Sequence, residues 1–297
     1  MPLTLQPVGG AERRTPAWQA WGVNRTVRPV AHRLLATAFV SLLTTALLTS
    51  CSTTDDKPEK SLDDPAKKRI AMELVSSAEN STLDWKDQYE YIEDIGDGRG
   101  YTGGIIGFCS GTGDMLDVVE RYTKARPGNG LARFVPALRA VDGTDSHAGL
   151  GTAFTEAWAA AAKDSAFRAA QDAVLDAGYF RPAVDRAEKD GLSALGQFIY
   201  YDAYVMHGAG DTEGTVGFTS IRRQALAAAD SPAEGGDEEA YLNAFLDARV
   251  AAIAKEPSHT DTSRIETAQR RFVREGKLQL ETPLRWKVYG ESFRIDG

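Results

Sequence analysis

The chain has 297 residues, 42% hydrophobic and 26% charged, with 42 acidic against 34 basic side chains and a formal net charge of −8. That balance leaves nucleic acid and anionic membrane surfaces as poor partners, since both select an excess of positive charge. Only Cys51 and Cys109 are present, which excludes a disulfide framework.

Residues 1–61 do not read as fold. Arg25, Arg28, His32 and Arg33 precede an apolar run from Leu34 to Leu48. That run of about 15 residues is short of the ~20 a membrane span needs and suits a signal-peptide core. Leu48-Thr49-Ser50-Cys51 then matches a bacterial lipobox, in which the cysteine is lipidated and becomes the new N-terminus. The alternative is an ordinary signal cleaved nearby with Cys51 incidental. Both readings export the protein, with residues 1–50 as the signal. The polar stretch 51–61, rich in Ser, Thr, Asp and Lys, cannot bury a core and reads as a tether. Removing residues 1–50 takes five arginines and Glu12, leaving 29 basic and 41 acidic side chains and a net charge of −12. A chain so acidic suits a polycationic partner.

Residues 62–297, about 235 of them, suffice for one large domain or for two lobes sharing a cleft. Asp64-Pro65 supplies a cap and a first-turn proline, and Ile70, Ala71, Leu74, Val75 and Ala78 follow as an apolar stripe. Asn80 is a plausible stop. From Tyr89 to Ile106 the aromatics, isoleucines and glycines predict a short antiparallel sheet. Further helices are predicted at 114–125, 131–140, 153–176, 182–206, 220–229, 237–255 and 263–275. The 182–206 helix would join the lobes, with Gly191 and Gly196 as bends. The last helix would start at a Ser263–Glu266 capping box and stop at Gly276. The class is mainly α with a small β element.

Two carboxylates stand out in the segment S-A-E-N-S-T-L-D-W-K-D-Q-Y-E-Y-I-E-D-I-G-D-G-R-G-Y-T-G-G, Ser77 to Gly104. Glu79 follows Ala78 at the helix end, where being drawn toward a core would help it keep a proton. Asp97 lies eighteen positions on, in a turn whose flanking glycines let a substrate approach closely. Opposed carboxyls divide the acid and base roles at a glycosidic bond. Gly98, Gly100 and Gly103 spell the dinucleotide fingerprint, but no strand–turn–helix unit frames them. Asp202 lies in the very apolar F-I-Y-Y-D-A-Y-V-M and needs a partner, which Arg249 or Arg264 could supply. Cys109 reads as a small buried residue and Trp85, Trp158 and Trp286 as core. The four histidines are scattered without metal-ligand spacing, so no metal and no cofactor are implied.

The same segment resembles the chitosanases of glycoside hydrolase family 46, the actinobacterial endo-acting kind. The likeness starts at L-D-D-P-A-K-K, near Leu62. It runs through I-I-G-F-C-S-G-T-G-D-M, A-L-G-Q-F-I-Y-Y-D-A-Y-V-M-H-G, Y-L-N-A-F-L-D-A-R and D-T-S-R to P-L-R-W-K-V-Y-G, covering about four-fifths of the chain. The resemblance implies a lysozyme-like fold with the active site in a cleft, and inverting hydrolysis of β-1,4 bonds in chitosan, a cationic polysaccharide. It also implies Glu79 as general acid, Asp97 as general base and Thr102 as a holder of the attacking water. An inverting pair is expected to stand about 6.5–9.5 Å apart or more. By the same resemblance Arg99 and Asp114 contact substrate, although Asp114 is equally natural as a helix cap. Tyr91 is a cleft candidate, and His207 is either a substrate contact or a structural histidine. Asp202, Arg249 and Arg264 would form a network behind the acid, unless they are a purely structural ion cluster. The expected protein is a monomer touching membrane only through a lipid on Cys51. A related muramidase or chitinase and a non-enzymatic sugar-binding lipoprotein are the rival readings.

Overall fold

The structure is a computed structural model and describes residues 61–96, 98–211, 216–255 and 261–297. The signal, nearly all of the tether, Cys51 and Asp97 lie outside the described residues. Helix α1, Pro65–Glu79, begins where Asp64 Oδ1 accepts from the backbone N–H groups of Ala66 and Lys67, as the sequence predicts. Its second half is buried nearly all round, from Leu74 to Glu79. A 3₁₀ turn, Trp85–Glu90, precedes an antiparallel sheet of β1 (Ile92–Asp94), β2 (Tyr101–Gly103) and β3 (Phe108–Cys109). The sheet therefore begins later and reaches further than 89–106. Thr102 sits in its middle strand, opposite Glu93 on one side and Cys109 on the other.

Helices α2 (Asp114–Ala125), α3 (Val135–Val141), α4 (Gly151–Ala161) and α5 (Ser165–Leu175) pack beside this sheet. The single helix expected over 153–176 is two, because Asp164 turns its carboxylate onto the Ala166 N–H and caps α5. A π-helical stretch, Asp176–Phe180, carries α5 into α6 (Arg181–Lys189). The expected helix over 182–206 is also broken. Gly191, at φ +76°, donates to Glu188 O while Leu192 donates to Ala187 O, a Schellman stop rather than a bend. Ser193 then starts α7, Ala194–His207.

Every residue of α7 except Tyr204 is buried, which marks a helix enclosed on all sides. Helices α8 (Phe218–Ala228) and α9 (Glu238–Ile253) pack on each other. A second π-helical segment, Arg264–Gln269, leads into α10, Arg270–Arg274. The expected capping box at its start does not form, since the Ser263 hydroxyl instead accepts from the backbone of Tyr289. Gly276 does end it, again by a Schellman pair.

The hairpin β4 (Leu284–Val288) and β5 (Glu291–Ile295) closes the fold and was not expected. Leu284, Trp286 and Val288 point inward while Arg285 and Lys287 face out. Trp286 Nε1 donates to Ser77 Oγ at 3.0 Å, and Ser77 Oγ donates to Leu74 O at 2.7 Å. The hairpin thereby grips the last turn of α1. Trp158 and Trp286 are core as expected, while Trp85 is only half-buried. No helix among the described residues is long and apolar enough to cross a membrane.

Candidate active site

Glu79 ends α1 with a side chain 1% exposed, and Arg264 Nη1 lies 2.7 Å from its Oε1. Arg264 Nη2 donates to Asp202 Oδ1, also at 2.7 Å. Asp202 Oδ2 meets Arg249 Nη1 at 2.9 Å and accepts from Gln269 Nε2 at 2.6 Å. Gln269 Oε1 in turn accepts from Arg249 Nη1 at 2.7 Å. Two carboxylates and two guanidiniums thus form one buried quartet, contributed by α1, α7, α9 and the π-helical segment.

The quartet joins Asp202, Arg249 and Arg264 as the sequence expects and attaches them to Glu79. Burial opposes charge on Asp202, but Arg264 and Arg249 outweigh it and hold the carboxyl down at about 2. Burial likewise opposes the Arg264 charge, and Asp202 and Glu79 overcome it, so its pKa rises. At Glu79 two influences conflict. Burial favours the neutral carboxyl, whereas the adjacent guanidinium favours the carboxylate.

Gln269 was missed. It lies five residues after Arg264, and in an α-helix such residues diverge. The i→i+5 winding observed here brings them about one turn apart on one face. No signal in the sequence announces that winding.

The glycine-rich turn is held from its far side. Gly111 donates to Arg99 O at 2.9 Å and accepts from Gly143 at 2.9 Å. Ser110 Oγ accepts from the Tyr101 N–H at 2.9 Å. A Cβ on Gly111 would stand 2.1 Å from Thr144 O and 2.9 Å from Arg99 O, so only glycine fits this close approach. Arg99 and Asp114 together line a small recess with Thr112, Tyr179 and Val205. Asp114 is the first residue of α2, and its Oδ1 accepts from Cys109 N at 2.9 Å, Thr112 Oγ1 at 2.7 Å and Met115 N at 2.9 Å. The cap position itself falls to Gly113, so the Asp114 carboxyl ties the turn between β3 and α2 rather than capping the helix. Loss of water around its carboxyl pushes its pKa up, partly offset by those donors and by Arg99.

Thr102 is fully buried, with Oγ1 3.3 Å from Cys109 Sγ. Cys109 is buried, as a small apolar residue should be. Tyr91 is half-buried and donates its hydroxyl to Glu93. His207, the last residue of α7, is fully buried. Asp97 and Cys51 lie outside the described residues, and with Asp97 goes the carboxyl separation. A shallow concavity of about 600 Å³ lined by Arg133, Phe134, His147 and Leu150 takes in none of the expected residues.

The arrangement offers a buried carboxyl at the end of α1 coupled to a chain of buried charges. The family model for Glycosyl hydrolase family 46 matches residues 73–284. A chitosanase of Streptomyces sp. (strain N174) is 58% identical over 276 residues, 92% of this chain and 98% of the relative. A chitosanase of Nocardioides sp. (strain N106) is 60% identical over 235 residues, 79% of this chain and 84% of the relative. Among solved structures, the chitosanase OU01 with substrate is similar with a TM-score of 0.75. Its sequence identity is 57%, over 80% of this chain and 99% of that one. Solved relatives share the mostly helical architecture with its small antiparallel sheet, a lysozyme-like fold.

Proposed function

The chain belongs to glycosyl hydrolase family 46, and from that premise we propose that it cuts β-1,4 bonds between glucosamine units within chitosan by inversion. The observation that carries this reading is the buried Glu79–Arg264 pair at the end of α1, within a chain 58% identical to a chitosanase almost end to end. Glu79 protonates the leaving oxygen, and Asp97 takes a proton from the water that attacks the opposite face of the sugar. Thr102 helps to hold that water. Arg99, Asp114, Tyr91 and His207 contact the sugars. Asp114 suits a substrate ammonium because it presents a carboxyl already fixed by three donors.

The mature chain's charge of −12 favours a polycation over anionic peptidoglycan. Export follows from residues 1–50, with Cys51 as the lipid anchor of a monomeric cell-surface enzyme. Viscosity loss and reducing-end release, measured side by side on chitosan, chitin and peptidoglycan, test the reading. Rapid loss of chitosan viscosity with few new ends supports endo action. Release from peptidoglycan alone would replace it with a muramidase, and no release from any polymer would leave a binding protein.

A further inference from the structure

The turn that joins β4 to β5 breaks a local rule beside the candidate acid. It has two residues, Tyr289 and Gly290, both at positive φ, 52° and 83°. A two-residue hairpin loop with both residues at positive φ is a type I′ turn, and Asn-Gly or Asp-Gly is its natural sequence. A bulky residue at positive φ is strained there. Such strain persists only where surroundings impose it, and it gathers at functional sites.

The surroundings here belong to the buried quartet. Tyr289 donates its backbone N–H to Ser263 Oγ at 2.9 Å, and Ser263 immediately precedes Arg264. Thr267 Oγ1 donates to Lys287 O at 2.5 Å, so the hairpin is stitched twice to the π-helical segment that carries Arg264. The phenol is half-buried against the core and lies in the field of four charged groups. These are Arg264 and Asp261 in and before the π-helical segment, Glu79 at the end of α1, and Asp202 in α7. Burial pushes the phenol's pKa up, Arg264 pulls it back, and Glu79 pushes it up again. A solvent-facing turn residue would feel little of this.

We propose that Tyr289 is a positioning residue: the strained turn presses its phenol toward the Glu79–Arg264 pair and keeps the carboxyl aimed at the leaving oxygen. An asparagine would suit the turn better, and the chain accepts a poorer turn in order to place an aromatic hydroxyl there. The inference rests on the reading of Glu79 as general acid.

Two variants test it, assayed in the full-length protein on chitosan. Tyr289→Phe keeps the ring and removes the hydroxyl, and Tyr289→Asn supplies the preferred turn residue. The expected result is a kcat at least about tenfold lower in both, within the ~10²-fold that a misplacement of about 1 Å costs. KM should stay within about twofold and the alkaline limb of the kcat/KM profile should move, because that limb reports the proton on the general acid. The Asn variant should melt no lower than wild type, which a purely structural tyrosine would not combine with lost turnover. Wild-type kcat and an unmoved pH profile in both variants would overturn the proposal. Should Tyr289→Asn not fold, Tyr289→Phe decides alone. If Glu79→Gln keeps turnover, the reading of Glu79 fails first, and that outcome is distinct from an unaffected Tyr289→Phe in an enzyme that needs Glu79.

Discussion

Arg264 bridges Glu79 and Asp202 with one nitrogen 2.7 Å from each carboxylate, and all three side chains are no more than 2% exposed. A planar guanidinium is suited to this because its donors diverge at fixed angles. Arg264→Ala leaves two carboxylates buried around a missing charge. Breaking one side of a buried pair costs about 3–5 kcal/mol. Arg264→Ala should therefore lower both the melting temperature and turnover, and Arg264→Lys should recover only part of each. Unchanged melting and unchanged turnover in Arg264→Ala would remove the quartet from the mechanism.

Inversion gives a product test. From a β-linked polymer the first-formed reducing end should be the α-anomer, seen by proton NMR before mutarotation. A β-anomer formed first would mean retention, with Asp97 attacking carbon itself. Glu79→Gln should abolish turnover while oligosaccharide binding stays nearly intact, since it removes a proton donor but little shape. Asp97→Asn should also be severe, with partial rescue by a small anion such as azide.

Asp202 links the quartet to acid stability. Its folded pKa of about 2 lies below the ordinary unfolded value of about 3.9. The stabilisation is therefore fully present above about pH 4 and is lost as pH falls through about 2. Asp202→Asn should melt well below wild type at neutral pH, and the gap should narrow between pH 4 and pH 2. Thermal melts across that range check this; a gap of constant size would show that Asp202 does not titrate with the fold.

Anchoring is tested at Cys51. The mature protein should begin at Cys51 and partition with membranes, and Cys51→Ala should release or misprocess it. Intact-mass analysis finding an unlipidated N-terminus elsewhere would leave only ordinary secretion.

Local chemistry made α1, α2, α8 and α9 readable within a residue or two, because caps such as Asp64 and Asp237 and the spacing of apolar residues mark them directly. Asp202 was legible as a buried charge, since no acid sits unpartnered in a run as apolar as its helix. The breaks at Asp164 and Gly191 were read through, because periodicity continues across them and only the cap geometry reveals a stop. Gln269 and Tyr289 were illegible for a different reason. Their roles depend on a π-helical winding and on a hairpin docked against α1, both set by contacts between distant parts of the chain.

The bond from Trp286 to Ser77 spans 209 positions, and Ser77 is two residues from Glu79. A chain synthesised from its N-terminus makes the helix bearing its acid early and the strand that grips it almost last. The acid therefore gains its final support only when nearly the whole polypeptide is available to fold. Contacts of such sequence separation also form slowly. Nascent chains that still lack the β4–β5 hairpin should be without hydrolytic power.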